Sequence, residues 1–314
     1  MKNETRKQYE ELVARAIEHV RASLDDALSL DSLGRKAHLS PLHFHRIFRG
    51  LMGETPGELH RRLRLERAGF SLATSQLAVT RIALEAGYET HESFTRAFAS
   101  AFGLSPSEFR DRARQNPTVW AATSASALSA HSGVHFSVER TDAIRFNTEE
   151  TNMHVTVQKM PAKKVFAVAH SGPYNMIGAA FSRLNELLSA ATLEPAHWLE
   201  MVAIQYDDPE TVPAAQLRSE AGIVVADHVR EKPSGLHEVT IPAGVYARFT
   251  HHGPYDRLGD AWGRFMGQWL VKSGRKLGTG PCYERYLNTP ENAAPQDLLT
   301  ELYLSMSDDE ELSA

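Results

Sequence analysis

The sequence predicts a multidomain protein, in which an all-α half built from a duplicated helical unit is followed by an α+β domain of two pseudo-repeated strand–helix halves. Three observations carry that reading: a repeat at an offset of 50 residues, a second repeat at an offset of 81, and a seam between them made almost wholly of Ala, Ser and Thr. A chain of 314 residues has room for two domains of ordinary size, each with its own core.

In the first repeat, Phe44, Arg46, Phe48, Gly53, Pro56 and Glu58 recur as Phe94, Arg96, Phe98, Gly103, Pro106 and Glu108. Thr55-Pro56-Gly57-Glu58 and Ser105-Pro106-Ser107-Glu108 each place a hydroxyl at the N-cap, proline at the first helical position and glutamate at the third, which is a capping box. Each copy therefore reads as a helix, a glycine turn and a fresh helix start. Phe44, Ile47, Phe48 and Leu51 fall at i, i+3, i+4 and i+7 and should face a core, which leaves Leu42, His45, Arg46 and Arg49 on the opposite, outward face. In the second copy Phe94, Ala97, Phe98 and Ala101 are core-like, and Glu92, Thr95, Arg96 and Ala99 point away. A short helix and tight turn precede each, over residues 32–39 and 81–88. A short helix, a turn and a second helix with an Arg-bearing outer face describe a helix-turn-helix, whose second helix enters a major groove. Residues 58–72 read as a long connecting helix, and Tyr9, Leu12, Val13, Ala16, Ile17 and Val20 give another helical stripe ahead of it.

In the second repeat, His170-Ser171-Gly172-Pro173-Tyr174 recurs as His251-His252-Gly253-Pro254-Tyr255, and Pro161-Ala162 as Pro242-Ala243. Short apolar runs lead into each Gly-Pro turn. Downstream, Ile177, Ala180, Phe181, Leu184 and Leu188 match Leu258, Ala261, Trp262, Phe265 and Trp269 at helical spacing. The unit is strand, turn, amphipathic helix, with further strands expected over 201–206, 222–226, 282–287 and 299–304. The boundaries follow: helical domain 1–114, linker 115–151 with some local structure, α+β domain 152–307 and an acidic tail 308–314.

Composition narrows the class. No apolar run approaches the ~20 residues of a membrane-spanning helix, and the charged N-terminal stretch lacks a secretory apolar region, so no membrane partner is expected and the cytoplasm is the expected compartment. The single cysteine, Cys282, excludes an internal disulfide framework and a thiolate zinc cluster. Residues 1–115 carry 18 Lys+Arg against 15 Asp+Glu, or +3, and the remainder 16 against 24, or −8. The front half is suited to nucleic acid, although +3 is too weak to argue it alone.

These motifs carry a resemblance. Leu42-His43-Phe44-His45-Arg46-Ile47-Phe48-Arg49 and the run from Arg81 to Arg110, with Ala86-Gly87-Tyr88, Ser93-Phe94-Thr95-Arg96 and Phe102-Gly103, make residues 9–113 resemble the double helix-turn-helix DNA-binding domain of the AraC family of transcription regulators. Both Gly-Pro-Tyr turns, Tyr206-Asp207-Asp208-Pro209 and Tyr283-Glu284-Arg285-Tyr286 make residues 153–307 similar to the GyrI-like effector-binding domain, placed as in Rob-like regulators. The chain departs from the pattern at Leu42, where relatives often carry a bulkier or polar base-contacting residue, at Ala78, where a capping hydroxyl is expected, and at Ser305, which replaces an expected proline.

At the front, an arginine can donate two hydrogen bonds to the O6 and N7 of guanine. Arg46 and Arg96 hold equivalent positions and are assigned to groove contact, with Leu42, His45, Arg49, His91, Glu92 and Thr95 as further candidates. Arg61, Arg62 and Arg64 face either phosphate or solvent. Two units on one chain should address two adjacent major grooves of double-stranded DNA, about one turn (~34 Å) apart. At the back, no phosphate loop, nucleophile elbow or paired-histidine zinc motif is present, so neither a catalytic residue nor a metal or cofactor is assigned. Aromatic residues are plentiful: Trp198, Tyr206, Trp262, Trp269, Tyr283 and Tyr286. A carboxylate among them would be expensive to bury alone and would favour a cationic ligand. The residues leave Glu284 either in such a cavity or on a solvent face beside Arg285, and the resemblance implies the cavity; from their aromatic character Trp198, Tyr206 and Tyr283 are the further ligand-site candidates. The expected function is a transcription regulator that senses a lipophilic or cationic small molecule, with RNA polymerase as a further partner. The rival is a GyrI-like hydrolase, with Glu284 as general base, fused to a DNA-binding module. With only +3 on the front half, phosphate contacts must be few, and log K for DNA against log [salt] should fall with a slope of about −4 to −6; fluorescence anisotropy across a salt series reads it, and a slope near zero contradicts groove binding.

Overall fold

The structure, a computed structural model, describes residues 2–26, 28, 39–116, 132–136, 144–146, 153–191, 197–207 and 212–307. The expected short helix at 32–39 lies outside the described residues except for Leu39, as do Asp208-Pro209, the acidic tail and most of the linker. Two compact units emerge. One gathers residues 1–9, 38–50 and 149–314, and the other residues 10–37 and 51–148. The segment 38–50, read from sequence as part of the front domain, thus groups with the C-terminal residues.

The helices are α1 (Lys2–Ala22), α2 (Pro41–Met52), α3 (Pro56–Thr74), α4 (Val79–Glu85), α5 (His91–Phe102) and α6 (Pro106–Gln115). Both capping boxes form. Thr55 Oγ1 accepts from Glu58 N at 3.1 Å while Thr55 N donates to Glu58 Oε2 at 2.8 Å, and Ser105 does the same with Glu108 at 3.3 and 2.9 Å. The glycines that close the preceding helices, Gly53 and Gly103, sit at φ +76° and +70°, a left-handed turn that favours glycine. Ala78 caps α4 with no side-chain bond, and Thr90 caps α5 through Ser93 N at 3.1 Å. In the second helical unit Phe94, Phe98, Phe102 and Phe109 are buried with Leu65, Leu72 and Ile82. Phe98 stacks on Phe102 at 4.3 Å and meets Phe109 edge-on at 5.3 Å.

Arg62 is neither a phosphate nor a solvent contact. It is held by Glu54 at 2.6 Å and by Glu66 at 2.7 Å, and Glu66, 1% exposed, also takes Phe136 N at 2.6 Å and His135 at 3.1 Å. A carboxylate so deeply buried requires such donors, and it pins residues 135–136 of the linker to α3. Arg64 lies against the turn at Gly87, where a Cβ would meet its Nη2 at 1.2 Å; Arg61 is exposed.

The α+β part is one eight-stranded antiparallel sheet in the order β1-β6-β8-β7-β3-β4-β2-β5. Its strands are β1 (Val155–Met160), β2 (Lys163–Ser171), β3 (Trp198–Gln205), β4 (Arg218–Val225), β5 (His237–Ile241), β6 (Gly244–His252), β7 (Tyr283–Tyr286) and β8 (Leu299–Met306). Helix α7 (Gly178–Ala190) follows β2; α8 (Leu258–Arg264) follows β6 and runs through a π-helical stretch (Phe265–Leu270) into α9 (Val271–Ser273). The 81-residue repeat holds bond by bond. Tyr174 OH donates to Asp207 O at 2.6 Å, and Tyr255 OH to Asn288 O at 3.3 Å. Gly172 N donates to Leu217 O at 2.8 Å, and Gly253 N to Leu298 O at 2.9 Å, both glycines at positive φ.

The sequence reading missed β1 and β5. Both are edge strands with alternating half-exposed residues, so neither has the apolar run that marked the others. Each also pairs outside its own repeat: β1 with β6 of the second half, β5 with β2 of the first. Phe98→Ala should cost about 3–5 kcal/mol, because it empties the centre of a four-phenylalanine cluster; urea unfolding monitored by circular dichroism measures it.

Candidate ligand site and candidate nucleic-acid interface

Antiparallel pairing sets Glu284 on β7 opposite Ala203 on β3, at the joint between the two halves of the sheet. Alternation then decides which neighbours share its face. Cys282 and Tyr286 do; Tyr283 does not. Tyr283 lies on the other face, stacked on Tyr303 at 4.5 Å and packed near Tyr246, so the expectation that Tyr283 and Glu284 line one pocket is corrected by the two-residue period of the strand. Trp198 opens β3, five residues before Ala203, and packs with the Phe166, Ile223 and Val225 cluster rather than with Glu284. At ~3.3 Å per strand residue it stands some ~16 Å along the sheet. Tyr206, just past the end of β3, is 39% exposed, and its partial burial, with Glu220 nearby, pushes its pKa up to about 12.

What surrounds Glu284 is different. The side chain is 2% exposed, with Oε1 accepting from Trp262 Nε1 at 2.8 Å and Gln205 Nε2 at 3.1 Å, and Oε2 accepting from Tyr286 OH at 2.8 Å. Tyr286 stands among Tyr255 and Phe181, with ring centroids at 5.3 and 5.4 Å, and burial together with Glu284 raises its pKa well above the ordinary value. Gln205 was missed in the sequence, and Trp262 and Tyr286 were noted only as aromatics. The signal existed: Gln205 is the 81-residue counterpart of Tyr286, so the residue two beyond Ala203 and the one two beyond Glu284 converge on the same carboxylate.

A cation is already there. The Arg46 guanidinium lies 4.0 Å from the Trp262 ring centroid and donates to Gln205 Oε1, so the Gln205 amide bridges Arg46 to Glu284. Arg49, one helical turn on, pairs with Asp260 at 2.7 Å, and His43 Nε2 contacts Cys282 Sγ at 3.1 Å. Leu42, His45 and Arg46 are only 4%, 6% and 7% exposed. The outward face expected of α2 is therefore turned onto the sheet and α8. In the equivalent helix of the second copy His91, Glu92 and Arg96 are exposed on α5, as the helical period leads one to expect, whereas Thr95, expected on the same outward face, is half-buried. Among the described residues no group of three or more His, Cys, Asp and Glu is placed to hold a metal ion, and no helix is long and apolar enough to cross a membrane.

The chain thus holds a buried carboxylate bonded by two aromatic donors and an amide, and, on its helical half, an exposed Arg-bearing second helix after a tight turn. Comparison with known proteins shows the family. Residues 153–306 match the GyrI-like small molecule binding domain and residues 33–112 a helix-turn-helix domain. The chain is 33% identical over 136 residues to a DNA gyrase inhibitor of Yersinia enterocolitica, covering 42% of this chain and 84% of that protein. It is 30% identical over 104 residues to the regulatory protein SoxS of Salmonella typhimurium, covering 33% of this chain and 97% of that one. The crystal structure of the EcmrR C-terminal domain aligns with 50% of the chain and 99% of its own length, at 18% identity and a TM-score of 0.42. The chain belongs to the AraC-type transcription regulators that carry a C-terminal GyrI-like domain. It is a DNA-binding transcription regulator with a small-molecule effector domain.

Burial first, and the nearby charge of Arg46 second, hold His43 down at about 4, while burial pushes the Cys282 thiol up to about 11. At neutral pH the two meet as imidazole and thiol. The unfolded chain takes a proton on His43 near pH 6.5 and the folded chain only near 4, so the stability carried by neutral His43 is complete above about pH 6.5 and is lost as pH falls toward about 4. The urea midpoint of the wild type should therefore drop more steeply over that window than that of His43→Gln.

Proposed function

We propose that the Glu284 site is where the effector binds, that the effector is a cation with a flat apolar body, and that Arg46 and Arg96 read guanines in two successive major grooves. The single observation that carries the effector reading is the chemistry around Glu284. Its carboxylate is buried, its hydrogen-bond partners within the sheet and α8 are all neutral, and the face of Trp262 beside it already holds a guanidinium. Neutral donors leave the negative charge uncancelled, and an indole face is the best aromatic partner for a cation. Binding rather than hydrolysis is the role this supports. A general base needs a free lone pair aimed at a water, and of the roughly four acceptor positions of a carboxylate three are already taken, by Trp262 and Gln205 on Oε1 and by Tyr286 on Oε2.

The exposed His91, Glu92 and Arg96, with Thr95 beside them on α5, form the reading edge of the second helical unit. Exposed Arg61 is left for phosphate, where it would position the protein without specifying sequence. A regulator of this kind works in the cytoplasm, and RNA polymerase is the partner through which it would act on transcription.

Isothermal titration of the full chain with phenylguanidinium, a flat aromatic cation, tests the effector reading. Removing the charge without removing the shape, in Glu284→Gln, should weaken binding at least tenfold. Equal affinity in the two proteins contradicts it.

A further inference from the structure

We propose that Arg46 is a built-in occupant of the effector site, so that a cationic effector competes with Arg46 for that site and its binding releases α2 from the sheet to a DNA groove. The inference rests on the reading of Glu284 as the effector carboxylate and adds to it a mechanism of control.

The duplication supplies an internal comparison. Helices α2 and α5 are the same unit, with Arg46 and Arg96 at matching positions. An amphipathic helix buries one face and solvates the other. Helix α5 does this, but α2 buries both: Phe44, Ile47 and Phe48 on the apolar side and Leu42, His45 and Arg46 on the polar side. A polar helix face is stable out of water only where polar partners receive it. Here three polar side chains of α2 are received in this way: Arg46 on Gln205 and the Trp262 face, Arg49 on Asp260, and His43 on Cys282.

The backbone is cut for the same contact. A Cβ at Gly50 would fall 2.0 Å from Gly263 O and 2.4 Å from Gly267 Cα, so α2 approaches α8 and its π-helical continuation with no room for even a methyl group. Glycine is a poor helix former, and its presence inside α2 is accounted for by this close approach.

Two consequences follow. Arg46 sits where a flat cation would bridge Trp262 and the Gln205–Glu284 pair, so the incoming ligand must displace it. Arg46 also cannot reach a base edge while it is buried at 7% exposure. Occupation of the site by an effector thus frees the groove-reading face of α2, and by linkage the DNA-bound form takes the effector more tightly.

Cys282 provides a direct readout, since it is the chain's one cysteine, it is 2% exposed and it lies under His43. In the full chain without ligand, maleimide should modify Cys282 slowly in the wild type and at least tenfold faster in Gly50→Ala, which favours the helix but wedges it off α8. Arg46→Met, which keeps the aliphatic stem and removes the charge, serves as an independent variant. Titrated with phenylguanidinium, both variants should bind at least tenfold tighter than the wild type. On a duplex selected from a random pool with Gly50→Ala, saturating phenylguanidinium should tighten wild-type binding and leave Gly50→Ala unchanged. If the probe binds the wild type and loses affinity in Glu284→Gln, yet binds Gly50→Ala and Arg46→Met no more tightly, the competition is overturned while the effector site stands. If the probe binds neither the wild type nor Gly50→Ala nor Arg46→Met, both fall together.

Discussion

Glu284 is the constraint from which the C-terminal site is built. A carboxylate 2% exposed cannot keep its charge without donors, and each donor has to be delivered from a different part of the chain. Trp262 comes from α8, Gln205 from the end of β3, and Tyr286 from the same face of β7. That requirement fixes where α8 lies on the sheet and why β3 and β7 must pair in one register. The same requirement explains Arg46. Three neutral donors solvate a charge but do not cancel it, and a guanidinium linked through Gln205 and laid over Trp262 does.

The domain is a near-symmetric duplication in which the chemistry sits only on one side. Main-chain turns, tyrosine hydroxyl bonds and glycine conformations recur at the 81-residue offset. Ala203 stands where its counterpart is Glu284, and Gln205 where its counterpart is Tyr286. Because β3 and β7 are neighbours at the centre of the sheet, the two copies' equivalent residues meet each other, and a single substitution at one of them makes an asymmetric site on a symmetric frame.

Much of the fold was legible because it was written twice. Repetition at two offsets exposed the helical units and the strand–turn–helix halves, and the capping boxes located helix starts to the residue. The edge strands β1 and β5 were not legible, since a half-exposed strand has only a weak alternation to show and its partner lies in the other repeat. The residues alone left Glu284 between a cavity and a solvent face, and only the family resemblance pointed to the cavity; its companions could not be sorted, since strand phase removes Tyr283 to the opposite face and distance along β3 removes Trp198. The burial of Leu42, His45 and Arg46 was invisible for a deeper reason. Helical periodicity tells which residues share a face and never what that face is laid against.

The exchange of β1 and β5 bears on how such a domain can be made. The stretch from β1 to β4 does not hold its own first strand; that strand belongs to β6, and the second half returns β5 to β2 in its place. Half the domain, expressed alone, would carry a strand with nowhere to dock and an edge with nothing to cover it. Two identical halves could satisfy each other by trading those strands around a twofold axis. The present single chain contains that same exchange between its two halves, with Glu284 and Tyr286 in one half set against Ala203 and Gln205 in the other.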